Sequence, residues 1–204
     1  YAREARIHGC RADEERLEQL FRTEFHRLDK LTPAGAHASR RGEKGWWKEL
    51  VRRVFAESEP VSDFDAFFEE LYSLFEQKRV WRVYPDVRVT LRRLEARGVT
   101  MGVVSNFDAR LHRVMAATGL SRYFKFVLAS AETGAAKPDP RIFEKALRLA
   151  RVKAGEAIHV GDSLVEYFEG ARNAGVRGLL LVRGKSGDEK AGRISSLADV
   201  VGMV

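Results

Sequence analysis

The sequence has only one cysteine, Cys10, among its 204 residues. A single thiol cannot form a disulfide within the chain, so a disulfide-stapled scaffold is excluded and a reducing compartment is expected. No apolar run comes near the roughly 18 residues that a membrane-spanning helix requires. The first residues, YAREARIHG, are too polar for a secretory signal. These absences predict a cytoplasmic protein without a membrane partner.

The first 82 residues also lack an excess of charge of either sign, since they contain 16 basic and 16 acidic side chains. The whole net charge of +7 therefore falls on residues 83–204. Lysine and arginine are scattered there among leucine and alanine, as in TLRRLEARG and KALRLARVK, which is typical of amphipathic helices with a solvated basic face. We predict no nucleic-acid partner; weak attraction of anionic substrates such as phosphate esters is the alternative explanation of the excess.

Residues 1–82 show almost no strand signal and instead repeat apolar side chains at intervals of three and four, which predicts helices. With the polar opening segment they amount to about four helices joined by short or moderate connections, as in an antiparallel bundle. The aromatic side chains in this pattern are interpreted as the bundle core, and a substrate pocket is the alternative. The clearest helical segments are DEERLEQLFRTEFHRL, WWKELVRRVFA and DFDAFFEELYSLFEQ.

Residues 83–204 alternate apolar, strand-like runs with helical segments of about ten residues. Such βαβ units predict an α/β fold: a Rossmann-like parallel sheet with helices on both faces. Ligands of these sheets bind at the carboxyl ends of the strands. The clearest strand segments are VTMGVVS, FKFVLAS, AIHVG and VRGLLLV.

Polar side chains follow three of these predicted strands. Ser105 and Asn106 follow the first, Lys137 lies in the loop after the second, and Asp162 follows the third. A hydroxyl, an ammonium and a carboxylate at one rim could hold phosphoryl oxygens, neutralise their charge and bind Mg²⁺. Taken singly, each has a structural alternative, because Ser105, Asn106 and Asp162 could cap helices and Lys137 could be an ordinary surface lysine.

Three segments together point to a family. GVVSNFDARL, KPDPRIF, and HVGDS followed by GARNAG resemble, in this order, the second, third and fourth motifs of the haloacid dehalogenase-like hydrolase superfamily. The chain is similar to the subfamily with an inserted helical cap. The resemblance implies that residues 1–82 form this cap, with the character of a four-helix bundle, and that residues 83–204 form the α/β core domain.

Members of this family transfer a phosphoryl group through a covalent aspartyl-phosphate or, in one branch, displace a halide. The resemblance implies a Mg²⁺-dependent phosphohydrolase that acts on a small phosphorylated metabolite, as a monomer or a homodimer. Ser105 and Asn106 would contact the phosphoryl group, Lys137 would orient the nucleophile and the substrate, and Asp162 would bind Mg²⁺. A metal-independent 2-haloacid dehalogenase and a non-catalytic binding protein on the same fold are the alternatives.

The nucleophile of the family lies in a first motif, DxDx(T/V), at the end of the first strand, and the sequence contains no such segment. Its only DxD is SDFDAFF, in which Asp63 and Asp65 fall on a predicted amphipathic helix, so we interpret it as a chance match. We expect the nucleophile and the first strand to belong to an N-terminal segment missing from this sequence. That strand would lie between the strands ending at Ser105 and Asp162, and without it we expect the chain to fold poorly.

A second departure from the family pattern lies in the helix after Asp162. Members usually have an aspartate eight residues before the glycine that ends this helix; here that glycine is Gly175 and the position is occupied by Tyr167. A neutral tyrosine cannot supply the charge of a carboxylate at neutral pH. Glu166 is the candidate replacement as a metal ligand, although adjacent helical positions point about 100° apart. Weakened Mg²⁺ affinity and a degenerate protein are the alternatives.

Overall fold

The computed structural model describes residues 2–11, 13–31, 40–58, 61–164, 170–188 and 191–204. The α-helices in these ranges are α1 (Ala2–Ile7), α2 (Glu14–Leu31), α3 (Arg40–Ala56), α4 (Phe64–Leu74), α5 (Pro85–Ala96), α6 (Arg110–Ala117), α7 (Ser130–Thr133), α8 (Pro140–Ala150) and α9 (Gly170–Asn173). The strands are β1 (Gly102–Ser105), β2 (Phe126–Ala129), β3 (Ile158–Gly161), β4 (Arg177–Leu181) and β5 (Arg193–Ile194). No helix in these ranges is long and apolar enough to cross a membrane.

Helices α1 to α4 pack around a core of aromatic and aliphatic side chains. Leu50, Phe67, Phe68 and Leu71 are each at most 2% exposed, because apolar residues three and four apart share one face of a helix. The predicted helices and their aromatic core are therefore observed, while their role as a cap stays a prediction. We call the described residues up to position 80 the helical part and those that follow the α/β part.

Helix α4 begins where Asp63 caps it. The Asp63 carboxylate accepts a hydrogen bond from the backbone N–H of Ala66 (3.1 Å), which satisfies one of the free N–H groups of the first turn. Asp65 forms an ion pair with Lys48 of α3 (2.9 Å). Both carboxylates thus lie at the start of a helix, as predicted; that SDFDAFF is a chance match stays a prediction.

The strands of the α/β part run parallel to one another. Strand β1 pairs with β2 from Gly102 opposite Phe126 to Ser105 opposite Ala129. Strand β4 pairs with β3 on one side and with β5 on the other, again in parallel. Helices alternate with these strands along the chain, so the predicted α/β fold is confirmed.

Within the described residues the strands form two sheets, β1–β2 and β3–β4–β5, and β1 is not hydrogen-bonded to β3. No residue of β1 or β3 is fully buried, although strands inside a parallel sheet are normally covered on both faces. This break lies where the sequence predicts an additional strand: between β1, which ends at Ser105, and β3, which ends just before Asp162. That the first strand of the family fills it stays a prediction.

Candidate active site

The loop after β2 is fastened to the end of β1 by the side chain of Asn106. Its Oδ1 accepts a hydrogen bond from the backbone N–H of Lys137 (2.7 Å), and its Nδ2 donates to the Lys137 carbonyl oxygen (2.9 Å). Both backbone groups of Lys137 are thereby satisfied. Helix α6 begins at Arg110 with Ala109 as its cap residue, so neither Ser105 nor Asn106 caps it.

Lys137 is 4% exposed, and it is therefore not the surface lysine of the alternative interpretation. Burial, and then the positive charge of Lys137, lower the pKa of His159 in β3 to about 4. A lysine this deeply buried is rare, and its charge acts through a medium of lower dielectric constant than water. Lys137 thus carries its charge in the interior of the protein, on a backbone that is held at the end of β1.

Ser105 and Asp162 lie at the carboxyl ends of β1 and β3, where the strand pattern predicts them. Ser105 is the last residue of β1 and is half buried, whereas Asp162 directly follows the last residue of β3 and is exposed. The structure therefore joins Asn106 to the backbone of Lys137 and places Ser105 and Asp162 at the carboxyl ends of two strands.

Asp162 is the candidate metal ligand of the described structure. In the ranges given above, no three histidine, cysteine, aspartate or glutamate side chains converge. Mg²⁺ does not require such a cluster, since one or two carboxylates hold it together with water and the phosphate oxygens of a substrate. The exposed carboxylate of Asp162 fits that donor set. Glu166 and Tyr167 lie outside the described residues, so their parts in metal binding stay predictions.

Gly170, at the start of α9, presses against the loop that contains Lys137. A Cβ added to Gly170 would stand 2.8 Å from the Cα of Pro138, so a larger residue would force one of the two segments to move. The loop is thereby held on two sides, by Asn106 from β1 and by the segment that follows β3. The contact was not predicted; the glycine that opens GARNAG is its signal in the sequence.

A buried ion pair follows the end of β1 and joins the α/β part to the helical part. Asp108 and Arg110 are 4% and 7% exposed, and the Nε of Arg110 lies 2.9 Å from both carboxylate oxygens of Asp108. The guanidinium stands over the ring of Tyr72 from α4, 3.3 Å from its centroid, and its Nη1 donates to the Tyr72 carbonyl oxygen (2.9 Å). The Tyr72 hydroxyl donates in turn to Asp108.

The charge of Asp108 is set by these contacts. Burial by itself would raise the pKa of Asp108, but hydrogen bonds from Arg110 and Tyr72 outweigh burial and lower that pKa. Asp108 is therefore an anion matched to the guanidinium. The pair was not predicted as functional; its signal is an aspartate and an arginine two residues apart within SNFDARL.

Glu43 of α3 lies beside this ion pair and is 3% exposed. Burial and then the negative charge of Asp108 raise the pKa of Glu43 to about 8, and the opposing effects of Arg110 and of a hydrogen bond with Trp47 are smaller. Glu43 is therefore protonated at neutral pH, which avoids a second buried anion beside Asp108.

Glu43→Gln is expected to remove a fall in stability between about pH 5 and pH 8. In the unfolded chain Glu43 ionises near its ordinary value of 4.5, whereas in the folded protein it keeps its proton up to about pH 8. Because the unfolded chain binds fewer protons in this window, the free energy of unfolding falls as the pH rises, by up to roughly 1.4 kcal/mol per pH unit. Glutamine does not ionise, so the variant should lose this slope.

Urea denaturation at several pH values across that window measures the slope. Glu57→Gln, at an exposed position just after α3, is the matched control and should keep the slope of the unmodified protein. Equal slopes in all three proteins would show that Glu43 is ionised in the folded state, contrary to its burial.

Comparison with known proteins agrees with this geometry. The family model described as haloacid dehalogenase-like hydrolase matches residues 4–175. Haloacid dehalogenase-like hydrolase domain-containing protein 3 of Bos taurus is 36% identical over 184 residues, which cover 89% of this chain and 73% of the bovine protein. Phosphoserine phosphatase of Thermus thermophilus is 36% identical over 142 residues, which cover 68% of this chain and 57% of the phosphatase. The crystal structure of a 2-haloacid dehalogenase from Pseudomonas syringae is similar with a TM-score of 0.61 and 29% identity, over 93% of this chain and 79% of its own.

The fold and these matches define a hydrolase built on a Rossmann-like parallel sheet. The chain belongs to the haloacid dehalogenase-like hydrolase family, because the family model spans most of its length and the bovine relative is similar over most of both chains. The resemblance seen in the sequence motifs, which extends to the branch of the bovine relative, is confirmed. The similar proteins include a phosphatase and a dehalogenase, so the family alone does not choose between these two reactions.

Proposed function

We propose that the protein is a Mg²⁺-dependent phosphohydrolase that acts on a small phosphorylated metabolite through an aspartyl-phosphate intermediate. The main support is a buried cation, since Lys137 is 4% exposed and Asn106 holds its backbone at the end of β1. A buried ammonium stabilises a phosphoryl group far more strongly than a solvated ammonium does. The position of Asp162 directly after Gly161, at a strand end, favours the metal-dependent reaction over the metal-independent dehalogenase.

Some residues of this chain would bind the phosphoryl group, and others would neutralise its negative charge. The Ser105 hydroxyl and the backbone N–H groups after β1 would hold phosphoryl oxygens, while the Asn106 side chain keeps Lys137 in place. Lys137 would neutralise charge on the phosphoryl group and on the attacking carboxylate. Asp162 would hold Mg²⁺, which when bound offsets the repulsion between phosphate and carboxylates. The attacking aspartate is assigned to the first motif of the family, because SDFDAFF lies on α4.

The proposal is tested by the hydrolysis of p-nitrophenyl phosphate with and without Mg²⁺, using the chain joined behind the first-motif segment of the family. We expect turnover only with Mg²⁺, and we expect Asp162→Asn to raise the half-maximal Mg²⁺ concentration by at least about tenfold. Chloride release from 2-chloropropionate without a metal would instead show the dehalogenase. Phosphate binding without turnover of either substrate would show a non-catalytic binding protein.

A further inference from the structure

A cavity of about 150 Å³ lies between the helical part and the loop that follows β1. Six of the residues that line it are aromatic, and four of these come from four different segments: Trp47 from α3, Tyr72 from α4, Trp81 from the connection after α4, and Phe107 from the loop after β1. The walls are therefore supplied by both parts of the chain and are predominantly apolar. The aromatic residues that form the helical core thus also form a pocket.

The cavity offers no unmatched charge. Arg110 is the one charged residue among those that line it in the described structure, and the contacts of Arg110 are already made. Its Nε and Nη2 bond to Asp108 and its Nη1 donates to the Tyr72 carbonyl oxygen. A charged group placed in this cavity would lose its hydration without gaining a partner, which is costly. An uncharged group is therefore the favoured occupant.

The size and the position of the cavity define that group further. An apolar cavity of about this volume accepts a benzene-sized molecule. Phe107, which lines the cavity, directly follows Asn106, so their Cα atoms lie about 3.8 Å apart. The carbonyl oxygen of Phe107 accepts a hydrogen bond from the backbone N–H of Ala131 (3.3 Å), which fixes this wall to the start of α7. A phosphoryl group bound at Asn106 would thus lie next in the chain to a residue that lines the cavity.

We propose that this cavity binds an uncharged ring of the substrate, so that the substrate is a phosphate monoester of an aromatic or similarly apolar alcohol and not of a sugar. The inference rests on the proposed function, because it takes the phosphoryl group to lie at the end of β1. Aromatic walls favour a ring through stacked and edge-on contacts. Burial of a phenyl-sized surface should strengthen binding about ten- to a hundredfold.

Three probes test the proposal, and none of them is cleaved: phenylphosphonate, methylphosphonate and phenol. Their affinities are measured by calorimetry in the presence of Mg²⁺. The measurements are made on the chain alone and, in parallel, on the chain joined behind the first-motif segment of the family. We expect phenylphosphonate to bind about ten- to a hundredfold more tightly than methylphosphonate, and phenol to compete with phenylphosphonate only.

Two variants locate the ring. Trp81 lines the cavity but is 37% exposed, so Trp81→Ser should fold; it should remove most of the advantage of phenylphosphonate and leave the affinity for methylphosphonate unchanged. The control is Tyr84→Ser, because Tyr84 lies three residues further along, is 53% exposed and does not line the cavity. Tyr84→Ser should leave both affinities unchanged.

The outcomes separate this inference from the proposed function. Equal affinities for the two phosphonates, or an equal effect of Trp81→Ser and Tyr84→Ser, would overturn the ring-binding cavity while leaving the phosphatase proposal standing. If neither phosphonate binds and phenol still does, the proposed function is overturned, and the assignment of the cavity to a phosphate monoester falls with it.

Discussion

Replacing Arg110 with methionine is expected to lower the free energy of unfolding by roughly 3–5 kcal/mol, because it leaves the buried carboxylate of Asp108 without its ionic partner. Asp108 is 4% exposed and accepts hydrogen bonds from both the side chain and the backbone N–H of Arg110. In the variant, the hydroxyl of Tyr72 would remain the main side-chain donor to it. The change is measured by urea denaturation at neutral pH, as a lower midpoint with an unchanged slope.

The chain contains a matched control for this substitution. Asp139 and Arg141 have the same spacing and a similar pairing, with Nη2 of Arg141 2.6 Å from Oδ2 of Asp139, but the Arg141 side chain is 67% exposed. Arg141→Met should therefore cost less than about 1 kcal/mol. The double variant Asp108→Leu with Arg110→Met should recover much of the lost stability, since it removes the stranded charge. Equal costs for the two single arginine variants would show that burial does not decide the importance of the pair.

The fold was predictable wherever the spacing of apolar residues stays regular along a whole helix or strand. The segment VTMGVVS contains β1 and VRGLLLV contains β4, and α5 ends at Ala96, two residues before Gly98, whose φ of +70° favours glycine. Strand β5, at Arg193–Ile194, was not predicted, because two residues are too short to show a period. The docking of β5 on β4 depends on pairing across the loop that joins them, from Leu180 to Arg193, which no local period reports.

The candidate site was only partly predictable for the same reason. Strand ends can be read from the sequence, and they place Ser105 and Asp162 correctly at the carboxyl ends of β1 and β3. The loop that contains Lys137 is held by Asn106, 31 positions earlier, and the bond from Arg110 to Tyr72 joins residues 38 positions apart. No local pattern in the sequence reports such contacts, so the ion pair that joins the two parts of the chain could be found only in the structure.

Lys137→Met is expected to lower kcat for p-nitrophenyl phosphate at least about a hundredfold in the first-motif-bearing protein. Methionine matches the length of the aliphatic stem of lysine but has no charge to offset that of the phosphoryl group and of the attacking carboxylate. The same substitution should leave the protein as stable as before or more stable, because burying a charged group costs free energy that burying an uncharged thioether does not, and Lys137 is 4% exposed. Steady-state kinetics and thermal denaturation of the same preparations measure the two effects.

The opposite movement of activity and stability is what distinguishes a lysine kept for chemistry from one kept for folding. Lys125→Met, at an exposed position just before β2, is the control and should change neither quantity. Lys137→Arg should not restore the rate, since a planar guanidinium does not fit a space shaped for a compact ammonium. A loss of stability in Lys137→Met that parallels the loss of activity would assign Lys137 to the scaffold and remove the main support for phosphoryl binding at the end of β1.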